Sequence, residues 1–332
     1  MKNRVAVCGA CCAMLCLILA PAEAIESARY GLSLCAELIV PSLLPFFTAS
    51  ALLIRLGVPL ALGKLLSPLA QRLWGVSGAG AAAFFAGICG GYPLGAQTAA
   101  ELYLTGQIEK DEAGRLLRFC NNSGPSFLVG VIGAGIFSSR AAGLLLYAIH
   151  VSAAVLTGLF FRRSEFSLSE PRKAETPGIA EALVASVRQS VSAVLSVCGF
   201  VVCFCVLSGL LDALGFWNTA AAVLSRTGLI GAPDARALLI GLLELSSGVG
   251  ALRGLPPSGA RFVLAAFLCG WGGLSVQFQT MAVLAETDLD ARAHIVGRLF
   301  SALISALLAL GLFRVISLLP SLSRFLLNFQ HG

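Results

Sequence analysis

Gly90-Gly91-Tyr92-Pro93-Leu94-Gly95-Ala96-Gln97-Thr98 interrupts an apolar segment, and Gly272-Gly273 followed by Gln279-Thr280 interrupts another at the same internal spacing. Sliding residues 85–105 by 182 positions onto 267–287 matches eight of 21 residues: Phe85, Gly90, Gly91, Gln97, Thr98, Ala100, Leu102 and Thr105. Chance in this composition gives about two, so the register reads as an internal repeat. A helix does not continue comfortably through such glycine clusters. Broken helices at matching places in two halves of a membrane protein point to a transport site.

The surrounding composition is that of a membrane protein. Of 332 residues, 57% are hydrophobic and 12% charged, with mean hydropathy +0.88. A soluble domain carries roughly twice that charge. The net charge of +6 comes from Lys and Arg clustered in short loops, as in cytoplasmic loops of membrane proteins. No basic stripe with interleaved aromatics suggests nucleic acid. Nine of the 11 cysteines (Cys8, Cys11, Cys12, Cys16, Cys35, Cys198, Cys203, Cys205 and Cys269) lie in apolar stretches and read as packing residues. Cys8-x-x-Cys11 has no second pair at ligand spacing, and His150, His294 and His331 are scattered. Neither a metal nor a cofactor is expected.

The expected fold is all-α: a polytopic membrane protein with an inverted repeat and two re-entrant helical hairpins. Residues 1–24 read as a transmembrane or signal-anchor segment, because Lys2 and Arg4 precede an apolar run. Ala22-Glu23-Ala24 also fits a cleavage site, but further spans need a start-transfer segment. The first half covers 25–161, with a hairpin at 76–105. Pro41 and Pro45 predict a kink near 40–45. A polar linker spans 162–178. The second half covers 179–332, with a hairpin at 258–288. Residues 46–57 also match 204–215 at an offset of 158, with six of twelve identical. The change of offset leaves about 24 extra residues in the second half, around Leu238–Leu255. Counting crossings from an inside N-terminus gives the two copies opposite orientation. The same count puts Arg226, Arg236 and Arg253 outside, against the positive-inside tendency.

The candidate substrate-binding residues follow from the breaks. Gly90, Gly91, Tyr92, Gly272 and Gly273 expose half-helix ends whose free N–H groups attract electronegative ligands. Gln97 and Gln279 add amides, and Thr98 and Thr280 hydroxyls. The plainer reading of these four is hydrogen bonding between helices. Asn121-Asn122-Ser123-Gly124-Pro125 packs polar and helix-breaking residues into an apolar stretch, as a ligand-facing turn or as an N-cap by Asn122 or Ser123 before Pro125. Among the intramembrane acids Glu37, Glu101, Asp212, Glu244 and Glu286, Glu244 is preferred, because Ser246-Ser247-Gly248 follows it. No nucleophile motif, H-E-x-x-H or Walker loop occurs, so no enzyme is expected.

Gly91-Tyr92-Pro93-Leu94-Gly95-Ala96, Glu112-Ala113, Leu116-Leu117 and Phe119-Cys120-Asn121-Asn122-Ser123-Gly124-Pro125, in this order, resemble the YlbJ family. Pro41-Ser42-Leu43-Leu44-Pro45-Phe46 resembles it too. These are sporulation integral membrane proteins, grouped with the nucleoside-recognition or Gate domain proteins. The resemblance implies a multipass protein of the bacterial cell membrane, used in spore formation and akin to concentrative nucleoside transporters. Gln97-Thr98 resembles the Gln-Thr of their first hairpin; Ala99 follows here where they carry an acid. The expected function is transport of a small polar solute, nucleoside-like or a small carboxylate such as dipicolinate, by alternating access. A coupling ion (H+ or Na+), the lipid bilayer and a homo-oligomer are the other expected partners. The rival reading is a non-transporting scaffold or regulatory protein acting through residues 162–178.

Overall fold

Glycine and proline decide where each helix stops. In this computed structural model residues 2–163 and 177–318 are described, and among them every regular element is helical. Most of the polar linker therefore lies outside the described residues. Helix α1 (Lys2–Leu19) turns by 102° into α2 (Pro21–Leu34), with Pro21 opening the second helix. Then Cys35–Ile39 form a wide π-turn leading into α3 (Val40–Arg55). Pro41 lacks an N–H and crowds the carbonyl four residues back, and the helix yields by widening. Near the position where the prolines predict a kink, the chain widens on the turn just before them.

Gly57, with φ of 74°, ends α3 and opens α4 (Val58–Trp74). Ser77 caps α5 (Gly78–Gly90), its Oγ accepting the Gly80 N–H at 2.9 Å. Gly91, with φ of 91°, reverses the chain into α6 (Leu94–Leu104), which packs back on α5. At 13 and 11 residues these helices are about 20 and 17 Å long, too short to cross a hydrocarbon core of about 30 Å. These two helices occupy the segment 76–105 that the sequence reads as a hairpin. Next come α7 (Lys110–Leu116), an extended break at 121–124, a π-helix at Ser126–Ala134 and the span α8 (Arg140–Phe160).

The second half repeats this order. Helix α9 (Ile179–Ala213) ends at Gly215, with φ of 69°, which opens α10 (Phe216–Ser225). Gly57 and Gly215 are the pair matched by the 158 offset. Helix α11 (Ala232–Leu243) breaks at Glu244, and α12 (Leu245–Gly250) folds back on it through Gly241 and Gly248, which meet without side chains. Then α13 (Gly259–Trp271) breaks at Gly272-Gly273 and runs on into α14 (Gly273–Leu284), as one interrupted 26-residue span. Helix α15 (Arg292–Leu318) closes the described chain.

Two sequence expectations change accordingly. The second folded pair lies at 232–250, in the segment read as an insertion. Residues 258–288 form an interrupted span: Gly272 and Gly273 both take positive φ, and α13 and α14 run on through them as one 26-residue apolar span. The 182 offset therefore aligns a hairpin with an interrupted span. The corresponding element in the first half is α7 with the 121–124 break.

Among the described residues four helices are long and apolar enough to cross a membrane: Arg140–Phe160, Ile179–Ala213, Gly259–Leu284 and Arg292–Arg314, or up to six spans if each bent pair counts as one. Equivalent helices pack across the halves, α3 on α9 and α8 on α15. No group of metal-ligating side chains forms among the described residues.

Candidate functional site

Each folded pair rests its tip on the interrupted element that follows it. A methyl on Gly91 would sit 3.0 Å from the Gly124 nitrogen, and one on Gly273 would sit 3.0 Å from the Leu245 nitrogen. Only bare backbone allows these approaches. The first tip also reaches the interrupted span of the other half: Tyr92 Oη donates to the Cys269 carbonyl at 2.8 Å, beside Gly272.

A cavity of about 100 Å³, room for several waters, opens between the tips. Gly90, Gly91 and Tyr92 line it from the first tip, and Ser123 and Gly124 from the first break. Glu244 and Ser246 line it from the second tip, and Gln279 from α14. Leu43 of α3 and Val197 and Val201 of α9 form an apolar wall. Half of the predicted residues therefore share one cavity, drawn from both halves of the chain.

The others stand around it. Asn121 Nδ2 donates to Thr280 Oγ1 at 3.0 Å, and its Oδ1 faces the Ala96 N–H at 3.5 Å in the first turn of α6. Thr280 Oγ1 also lies 3.2 Å from His294 Nε2, whose Nδ1 faces the Leu117 carbonyl at 3.3 Å. Asn122 Nδ2 donates to the Phe119 carbonyl. Neither Asn122 nor Ser123 caps the helix that starts at Pro125. The Ser123 N–H instead donates to His150 Nε2 at 3.0 Å. Thr98 Oγ1 is 3.2 Å from Ser50 Oγ of α3, and Gln97 Oε1 is buried without a hydrogen-bond partner. Neither lines the cavity. Gly272 and Gly273 serve as the break itself.

Of the five acids, Glu244 is the buried one at the cavity. It caps α12, its carboxylate accepting the Ser246 and Ser247 N–H groups at 3.0 and 2.6 Å. Glu101 is 3.6 Å from Arg55, Asp212 is paired with Arg236, and Glu37 and Glu286 are exposed.

Among curated proteins, the sporulation integral membrane protein YlbJ of Bacillus subtilis (strain 168) is 30% identical over 324 residues, covering 89% of this chain and 78% of the relative. The chain belongs to the YlbJ family. No family model and no solved structure matches it. Kinship with an integral membrane protein and the apolar spans make this YlbJ-family chain a multipass protein of the bacterial cell membrane.

The sequence reading of this YlbJ-family member missed Arg298. It sits on α15, wholly buried, and Nη1 donates to Tyr92 Oη at 2.8 Å and to Asn122 Oδ1 at 3.4 Å. Its Nε and Nη2 have no hydrogen-bond partner, and no carboxylate pairs with it among the described residues. Nε and Nη2 share one edge of the guanidinium, the edge that takes a carboxylate in two parallel hydrogen bonds. His150 is within electrostatic reach, and with Nε2 accepting, its Nδ1 is a further buried donor without an acceptor. Ser301 and Ser305, one and two turns along α15 from Arg298, also have unpartnered buried hydroxyls. A signal was present: His294, Arg298, Ser301 and Ser305 recur at helical spacing along one face of an apolar helix.

Proposed function

We propose that this YlbJ-family protein is a carrier, not an enzyme, that moves a small polar solute across a membrane of the sporulating cell by alternating access. The observation that carries the reading is the cavity shared by two folded tips and two interrupted spans. Backbone leaves helical form at membrane depth only where protein or a water-filled cavity satisfies it. Two such breaks from two halves, meeting at one cavity, is the plan on which many secondary transporters build a midplane site. An odd number of crossings in the first half would make the halves inverted.

The cargo we favour is a small carboxylate, of which dipicolinate is one, over a nucleoside. The buried edge of Arg298 supports this, since a desolvated cation without a counter-charge is costly and calls for an anion. Tyr92, which lines the cavity and binds Arg298, would link the two. Glu244, buried at the opposite tip without a cation, is the proposed carrier of a coupling proton or sodium ion.

Flux in proteoliposomes tests both parts. Dipicolinate uptake is expected to exceed nucleoside uptake, and Gln279→Ala and Arg298→Gln are expected to reduce it at least ten-fold, roughly 1.4 kcal/mol. Gln97→Ala, away from the cavity, should change it little. Undiminished dipicolinate flux in Arg298→Gln would remove the carboxylate reading. Absence of flux for every solute tried would remove the carrier.

A further inference from the structure

A second, larger cavity of about 640 Å³ lies away from the first, where α7 and the start of α15 meet the end of α8. Six cationic side chains line it: Lys110, Arg115, Arg118, Arg162, Arg163 and Arg292. Two carboxylates oppose them, Asp111 and Asp290. Asp288 outside the cavity takes the Lys110 ammonium at 2.6 Å, and Asp290 accepts the Arg292 N–H at 2.9 Å. The Arg118 guanidinium lies 4.9 Å over the Phe161 ring, and its Nε is buried without a hydrogen-bond partner. Gly114 leaves the floor open, since a methyl there would meet nothing within 4 Å.

Positive loops beside spans are ordinary, but a concave excess of cations is not explained by topology alone. Guanidinium groups gathered around a cavity suit phosphate, whose oxygens each accept several N–H groups. The rim supplies the second half of the argument. Phe160 is 65% exposed, and Val296 and Leu299 are 42% and 47% exposed. Phe160 and Val296 line the cavity and continue outward as apolar surface. A ligand with a phosphate head and a hydrocarbon tail fits both features.

We propose that this cavity seats the phosphodiester headgroup of an anionic phospholipid, with the acyl chains leaving over Phe160 and Val296. The chemistry recognised is a phosphate whose negative charge no neighbouring ammonium offsets. The apolar rim favours lipid over a soluble phosphate compound. Basic pockets between spans bind anionic headgroups in this way. Bound there, the lipid would join the end of α8 to the start of α15. This site is independent of the transport reading, because none of its residues lines the cavity between the tips.

The test uses the full chain in detergent micelles with added phosphatidylglycerol or phosphatidylcholine, read by thermal unfolding and by lipid retained in native mass spectrometry. Phosphatidylglycerol is expected to raise the unfolding temperature and to be retained, and phosphatidylcholine is not. Arg163→Gln with Arg292→Gln, both exposed positions, should weaken retention about five-fold for each arginine removed. Arg118→Gln should do the same, and Arg226→Gln, an exposed arginine elsewhere, should not. Equal retention of the two lipids overturns the proposal, as does undiminished retention by the Arg163/Arg292 variant. Stabilisation by millimolar inorganic phosphate equal to that by lipid assigns the cavity to a soluble ligand and overturns the lipid source.

Discussion

Asn121 Nδ2 donates to Thr280 Oγ1 at 3.0 Å, and the two residues belong to different halves of the chain. Asn121 sits in the break before the Ser126–Ala134 helix, and Thr280 on the helix that follows Gly272-Gly273. Through Asn121 Oδ1 and His294 the link extends to α6 and α15. One amide therefore ties a hairpin, a break and two helices together.

Breaking that tie has a measurable size. Asn121→Ala is expected to lower unfolding stability in detergent by about 1–3 kcal/mol, because it leaves buried partners without hydrogen bonds. In a double-mutant cycle with Thr280→Val the coupling should be about 0.6 kcal/mol, and no more than about 1.7. Strict additivity of the two variants would mean that the contact contributes nothing.

The first hairpin depends on two glycines. Cβ atoms built on Gly87 and Gly95 both run into the Cys120 carbonyl. Gly87→Ala and Gly95→Ala are each expected to cost about 1–3 kcal/mol by overpacking. At Gly199, inside α9, a methyl meets nothing within 4 Å. Gly199→Ala should be neutral or stabilising by up to about 1 kcal/mol. Thermal unfolding of the three variants side by side checks the contrast.

Tyr92 joins the first tip to α13 and α15 with a single hydroxyl, donating to the Cys269 carbonyl and accepting from Arg298. Tyr92→Phe keeps the ring and strands both partners. A loss of about 1–3 kcal/mol is expected, together with reduced solute flux. Wild-type stability in this variant would show that water replaces the hydroxyl at no cost.

An exposed clamp gives a pH signature. The Lys110 ammonium, and next the Tyr103 hydroxyl, hold the Asp288 carboxyl below its usual range. Hydrogen bonding to Asp288 likewise raises Lys110. A depressed carboxyl stabilises above its unfolded pKa, and the effect is lost as pH falls through the folded value. A raised ammonium stabilises below its unfolded pKa, and the effect is lost as pH rises through the folded one. The difference in unfolding temperature between wild type and Asp288→Asn should persist near neutrality, shrink below about pH 4 and vanish below the depressed folded value. A difference that is constant with pH would exclude the charge pair as its source.

The sequence made the helix breaks legible, because glycine and proline act on the backbone locally. The first hairpin and the Gly57–Gly215 correspondence could be read for that reason. The second hairpin could not. Glu244 ends α11 with extended backbone and caps α12 with its carboxylate, a device with no glycine signature at the turn. The Gln-Thr pairs matched in letters but not in place: Gln279 reaches the cavity, while Thr98 turns to Ser50. Which way a helical side chain points depends on neighbours far along the chain, as Arg298 also illustrates.

Where Gly91 meets Gly124, two stretches of main chain touch with no side chains between them. The same is true of Gly273 against the turn at Leu245. Interlocked side chains must change rotamer before surfaces slide, whereas bare backbone presents only a smooth track. On the carrier reading these two contacts would act as bearings: places where a tip shifts against its neighbour with little friction while the packed helices on either side stay rigid.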